Sequence, residues 1–152
     1  MAAMDSENRR AVVEALSRLA NSADYRDRAD AGQAMASFVD MAETRKPLQR
    51  LLLDAADTFV TQMVAEALLR REDAEGLAAV ARALASAGAG HADWIYTAVH
   101  NVLTVYASRR DAAVHMCDVL IGGADPVLRR GATGLREVLI RVNPVLHPVD
   151  KT

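Results

Sequence analysis

The 152-residue chain carries one cysteine, Cys117, so no internal disulfide can form and a reducing, cytoplasmic setting is expected. Aromatic residues are few: Tyr25, Phe38, Phe59, Trp94, Tyr96 and Tyr106. Ala, Leu and Val must then fill the core, which suits close-packed helices better than a sheet. No segment approaches the ~20 uninterrupted apolar residues of a membrane span. The opening MAAMDSENRR has no apolar run, so a secretory signal is not expected. Charge of one sign is lacking too. The 18 Lys and Arg nearly balance the 20 Asp and Glu, a net charge of −2. That balance makes no electrostatic case for nucleic acid or a membrane surface. Arginine outnumbers lysine 16 to 2, which reads as codon bias of a GC-rich genome.

Reactive constellations are also missing. His115 and Cys117 lie two apart on a predicted helix and so point about 200° away from each other, a poor geometry for joint metal ligation. Cys117 reads as a small core residue. His100 falls on a predicted packing seam and reads as a core or groove histidine, while His91 and His147 fall in loops. The carboxylate pairs Glu72-Asp73 and Asp24/Asp27 sit at predicted helix ends, where acids cap or complement the dipole. Gly88-Ala89-Gly90 and Gly122-Gly123 lack the phosphate-loop pattern and read as turns. No catalytic residue, metal ligand or cofactor is assigned. The arginine pairs Arg9-Arg10, Arg70-Arg71, Arg109-Arg110 and Arg129-Arg130 are mixed with acids and read as solvated surface.

What the sequence does have is a period. Aligned starts at Asp24, Asp57, Asp93 and Asp125 are spaced by 33, 36 and 32 residues. The seventh position after each is Ala31, Val64, His100 and Ala132, and the tenth is Ala34, Ala67, Leu103 and Leu135. These offsets share one helical face, and the columns are nearly all small or apolar, as a packing seam requires. Each start is preceded by another amphipathic stretch, at 9–21, 46–56, 73–87 and 110–123. The reading is eight helices in four antiparallel hairpins, with each aspartate as a helix cap. The hairpins are expected at about 6–40, 43–72, 73–107 and 109–141, with an N-terminal tail over 1–5 and a C-terminal tail over 142–152. In that tail, Val145 and Leu146 are expected to pack on the last hairpin or fray. Gly131 and Gly134, mid-helix, call for close approach by a neighbouring helix or a partner.

Asp125-Pro126-Val127-Leu128-Arg129, then Ala132 and Leu135, resembles the second helix of a HEAT repeat. Asp24, Arg28, Ala31 and Ala34 form a second match, as do Asp57, Val60, Val64 and Ala67 apart from Thr61 in place of the arginine. The stretch from Asp93 to Leu103 departs most, with Thr97 and His100 at the Arg and Ala positions. A tetratricopeptide array has a similar period, but its first-helix pattern is missing. The resemblance implies an all-α, right-handed, armadillo-like solenoid of four hairpins whose second helices line a concave surface. It also implies a non-enzymatic scaffold, adaptor or inhibitor for a protein or peptide partner. The expected partner strip is Tyr25, Arg28, Thr61, Gln62, Trp94, Thr97, Asn101, Arg129 and Thr133, a mixture that includes the Trp, Tyr and Arg typical of binding hot spots. Trp94 has the alternative of packing between hairpins. A nucleic-acid-binding HEAT-like protein and an enzyme or lyase subunit on the same scaffold are the competing readings. Monomer and end-to-end homo-oligomer both remain open, since the end hairpins show no clearly polar caps.

Overall fold

An aspartate stands before five of the eight helices, and in four of them the reason is local. The side chains of Asp24, Asp57, Asp73 and Asp125 accept hydrogen bonds from the free amides of the first turn that follows. The computed structural model describes residues 5–149 and contains eight α-helices and, among those residues, no β-strand. They are α1 (Ser6–Leu19), α2 (Tyr25–Met35), α3 (Arg45–Leu52), α4 (Thr58–Leu69), α5 (Ala74–Ser86), α6 (Ala89–Leu103), α7 (Ala107–Ile121) and α8 (Pro126–Leu139). Two short 3₁₀ turns, Ala36–Phe38 and Ala42–Thr44, link α2 to α3. No helix among the described residues is long and apolar enough to cross a membrane. The tails expected over 1–5 and 142–152 lie outside the described residues at 1–4 and 150–152.

Two boundaries differ from the periodic reading. α3 ends at Leu52, not near 56, because the next residues wrap around the Asp54 carboxylate, which accepts the amides of Ala56 and Asp57. Asp93 is not a cap. Gly88 caps α6, so Asp93 lies in its second turn and Ala89 and Gly90 are helical rather than part of a turn. The buried column of α6 is Ile95, Val99 and Leu103, with His100 exposed, because the aligned start is out of phase with the helix.

Paired contacts give the helix directions. Tyr25 meets Phe59 and Gly32 meets Val64, so α2 and α4 run parallel. His91 meets the Asp54 carbonyl and Asn101 meets Glu66, so α6 runs parallel to α4. These three helices form one row, and α4, enclosed by α2, α3, α5 and α6, is apolar almost all round. α3 and α5 pack behind that row.

α8 does not extend the row. Its most extensive contact is with α5, and it barely touches α6. The two helices come together at Gly131, where a β-carbon would collide with the backbone carbonyl of Ala81. The glycine that costs about 1 kcal/mol of helix propensity is the condition for that crossing. Gly134 is less demanding, since a β-carbon there would sit 3.6 Å from a Leu84 methyl, an ordinary contact. α7 packs antiparallel on the other side of α8, fixed by Arg136 on Asp118 at 2.6 Å and Arg110 on the Val142 carbonyl at 2.7 Å.

The C-terminal segment is held by backbone, not by apolar packing. Val145 and Leu146 donate to the carbonyls of Thr104 and Val105, and the Leu146 carbonyl accepts from Ala107. Both side chains stay exposed, while Val142 and Pro144 are buried in their stead.

Candidate interaction surface

The row α2–α4–α6 brings three helix starts to one end of the molecule, and each carries an aromatic residue within its first two turns: Tyr25, Phe59 and Trp94. All three stay exposed, at 37%, 43% and 39%, although burial would be the default for side chains of this size. Tyr25 and Phe59 meet edge to face with ring centroids 5.7 Å apart, and the Arg26 guanidinium lies 5.4 Å from the centre of the tyrosine ring. Asp24, Asp57 and Asp93 flank the aromatics, so this edge is apolar and acidic with one arginine. Phe59 and Arg26 are missing from the expected strip. The signal for Phe59 was an aromatic in the first turn two residues past the Asp57 cap, whereas the expected strip took the residue that directly follows each aligned aspartate, which gave Tyr25 and Trp94.

The rest of the expected strip has other duties. Thr61 is fully buried, because α4 is covered on the side where a groove was expected, and its hydroxyl has no hydrogen-bond partner. Thr61 is therefore not a partner-contacting residue. Arg28 is also withdrawn from the surface. It forms a two-pronged ion pair with Asp54 at 2.8 and 3.2 Å and donates to the carbonyls of Ser22 and Ala23. Burial raises the Asp54 carboxyl, but Arg28 and the amides of Asp57 and Ala56 outweigh it and hold the group below the usual carboxylate range. The pair clamps the α1–α2 turn to the α3–α4 turn.

Gln62 and Asn101 serve a second buried acid. Glu66 Oε1 accepts from Gln62 at 3.0 Å and Asn101 at 2.7 Å, and Oε2 accepts from Arg70 at 3.0 Å. Burial again works against the charge, and these three donors again win, leaving Glu66 below its ordinary range. Both oxygens of the Glu66 carboxylate are matched, so the arrangement ties α4 to α6. Thr97 and Thr133 return their hydroxyls to the carbonyls of Asp93 and Arg129 in their own helices. Arg129 and Thr133 are exposed, but they ride on α8, which is packed on α5, and so they do not continue the row formed by Tyr25 and Trp94.

The titratable residues outside this edge do not converge. Cys117 is fully buried, and burial pushes its thiol up to about 12, which removes it as a nucleophile at neutral pH. His115, two residues away, is exposed. Among the described residues, no three His, Cys, Asp or Glu side chains gather where they would hold a metal ion. The arginine pairs are largely taken up by acids: Arg9 by Asp40, Arg70 by Glu66, Arg71 by Asp73, Arg109 by Glu72 and Arg110 by Asp111. Comparison with known protein families, with characterised proteins and with solved structures finds no match to this chain.

Proposed function

We propose that the protein is a non-catalytic binding module that holds a protein partner on the aromatic end of the α2–α4–α6 row. The observation that carries this reading is the trio Tyr25, Phe59 and Trp94, exposed together at the starts of three parallel neighbouring helices. Exposed aromatics on rigid helix ends lose little conformational freedom when covered, and Trp and Tyr are enriched where interfaces concentrate their affinity. The acids around them suit a partner segment that brings lysine or arginine, whose cations also pack on aromatic faces.

The parallel row backed by α3 and α5 also favours an irregular, HEAT-like solenoid as the architecture behind this surface. In that picture α8 is the departure, turned away to close the array on α5. A closed end exposes less apolar face for end-to-end association, which favours a monomer that binds one partner.

Affinity capture from the source cell tests the reading, comparing the natural chain with a Tyr25→Ala/Phe59→Ala/Trp94→Ala chain. The natural chain is expected to recover a partner that the triple variant loses, with unchanged helical circular dichroism. Equal recovery by both chains refutes this surface as the binding site.

A further inference from the structure

Behind the row, α3 and α5 flank a groove of about 500 Å³. Arg45, Lys46 and Arg50 line it from α3, and Arg82 lines it from α5. None of these four cations forms an ion pair among the described residues, and no carboxylate lines the groove. Arg82 is the unusual one. Its Nε is shut off from solvent and has no hydrogen-bond partner. Burial, and then the like charge of Arg45, weaken its hold on its proton. Asp125 favours the charge but forms no ion pair with Arg82; its Oδ1 accepts the amides of Val127 and Leu128 at the start of α8. A buried donor left unmatched is costly, and a partly buried cation without a counter-charge more so. The buried ions Arg28, Asp54 and Glu66, by contrast, are each matched by an opposite charge.

We propose that this groove is a second binding site, independent of the aromatic edge, and that it takes an acidic protein segment whose carboxylate reaches Arg82. Two features select a peptide over a nucleic acid. Leu53 and Val127 stand among the cations, offering contact to an apolar side chain beside the acid. No aromatic residue lines the groove, so unpaired bases have nothing to stack on. The basic region is also short. The adjoining cavity of about 380 Å³ shares Arg45, Gln49 and Arg82 but is also lined by Asp40, held by Arg9, and by Glu75, so the cationic stretch ends there and suits a short acidic segment rather than a long phosphate chain.

The test is a nuclear magnetic resonance titration of the full chain with a synthetic peptide of alternating Glu and Leu. Control arms use the same peptide with Gln for Glu, single-stranded oligothymidine, and inorganic phosphate. The acidic peptide is expected to shift the amide resonances of residues 45–53 and 82–86, with the Gln peptide inert. Arg82→Met keeps the aliphatic stem and removes the charge, and it should weaken binding at least about tenfold, as truncation of a desolvated charge pair does. Arg45→Gln with Lys46→Gln, both exposed, should weaken it as well and guards against a folding defect in the first variant. The absence of shifts, an unchanged affinity in both variants, or equal binding by the Gln peptide, the oligonucleotide or phosphate overturns the assignment.

Discussion

The second helices of the first three hairpins and that of the fourth start from the same kind of sequence and end in different places. α2, α4 and α6 stand side by side, and polar side chains stitch them together through Arg28–Asp54, His91–Asp54 and Asn101–Glu66. α8 has the aspartate cap of α2 and α4 and the same small and apolar face, yet it lies against α5 and touches the row hardly at all. The difference teaches that the repeat pattern specifies a helix with a buried stripe but not the neighbour that covers it. At Gly131 the neighbour is chosen by backbone approach, since only a residue without a side chain lets α8 reach the Ala81 carbonyl. Each arrangement leaves its own surface. The row sets three aromatics at one end, and the crossing places the start of α8 beside the cationic groove.

The largest effect should come from breaking the crossing. Gly131→Ala drives a methyl into backbone that cannot rotate away, and urea unfolding should lose about 3–5 kcal/mol. A change below about 1 kcal/mol would mean that α8 does not rest on α5 as described. Breaking the row comes next. Asp54→Ala leaves Arg28, its side chain only 11% exposed, without its counter-charge, and should cost about 3 kcal/mol. A loss no larger than the about 0–1 kcal/mol of a surface pair would show that solvent already screens it.

Acid should act on the row through the same groups. The folded pKa values of Asp54 and Glu66 lie below their unfolded ones. Their stabilisation is therefore complete above the ordinary carboxylate range near ~4 and is lost as pH falls through the folded values. Unfolding free energy should decline below that range, and Glu66→Gln should flatten the decline. An identical slope in the variant would contradict the role given to Glu66. Two small gains complete the series. Thr61→Val removes a buried hydroxyl that has no partner and should stabilise the chain by about 1 kcal/mol. Gly134→Ala, where a methyl fits at van der Waals distance, should add about 0.5–1 kcal/mol of helix propensity. The opposite signs of Gly131→Ala and Gly134→Ala, three residues apart on one helix, make the pair a sharp test of where the helices meet.

The helices themselves were legible in the sequence, because caps and 3.6-residue spacing are local. Asp24, Asp57 and Asp125 mark true starts, and the small residues Ala31, Val64 and Ala132 are buried as their positions require. Asp93 misled, because an aspartate inside a helix looks the same in sequence as one that caps it. Of the expected strip, Tyr25 was legible as an exposed aromatic, while the sequence left Trp94 open between the surface and a packed position between hairpins. Thr61 and Arg28 were not, since their burial depends on α4 being enclosed from several sides and on a loop 26 residues away in the chain. The cationic groove was invisible for the same reason. Arg45, Lys46 and Arg50 are distant in sequence from Arg82, and what distinguishes them is the acids that do not reach them.

The central claim is that the aromatic end of the row is covered by a partner, and Trp94, the single tryptophan of the chain, reports on it directly. In the free protein its fluorescence should be readily quenched by acrylamide, as its exposure requires. In the purified complex with the captured partner, the account predicts a blue-shifted emission and marked protection from the quencher, after correction for the partner's own tryptophans. An emission maximum and a quenching constant unchanged between free and bound protein would contradict it.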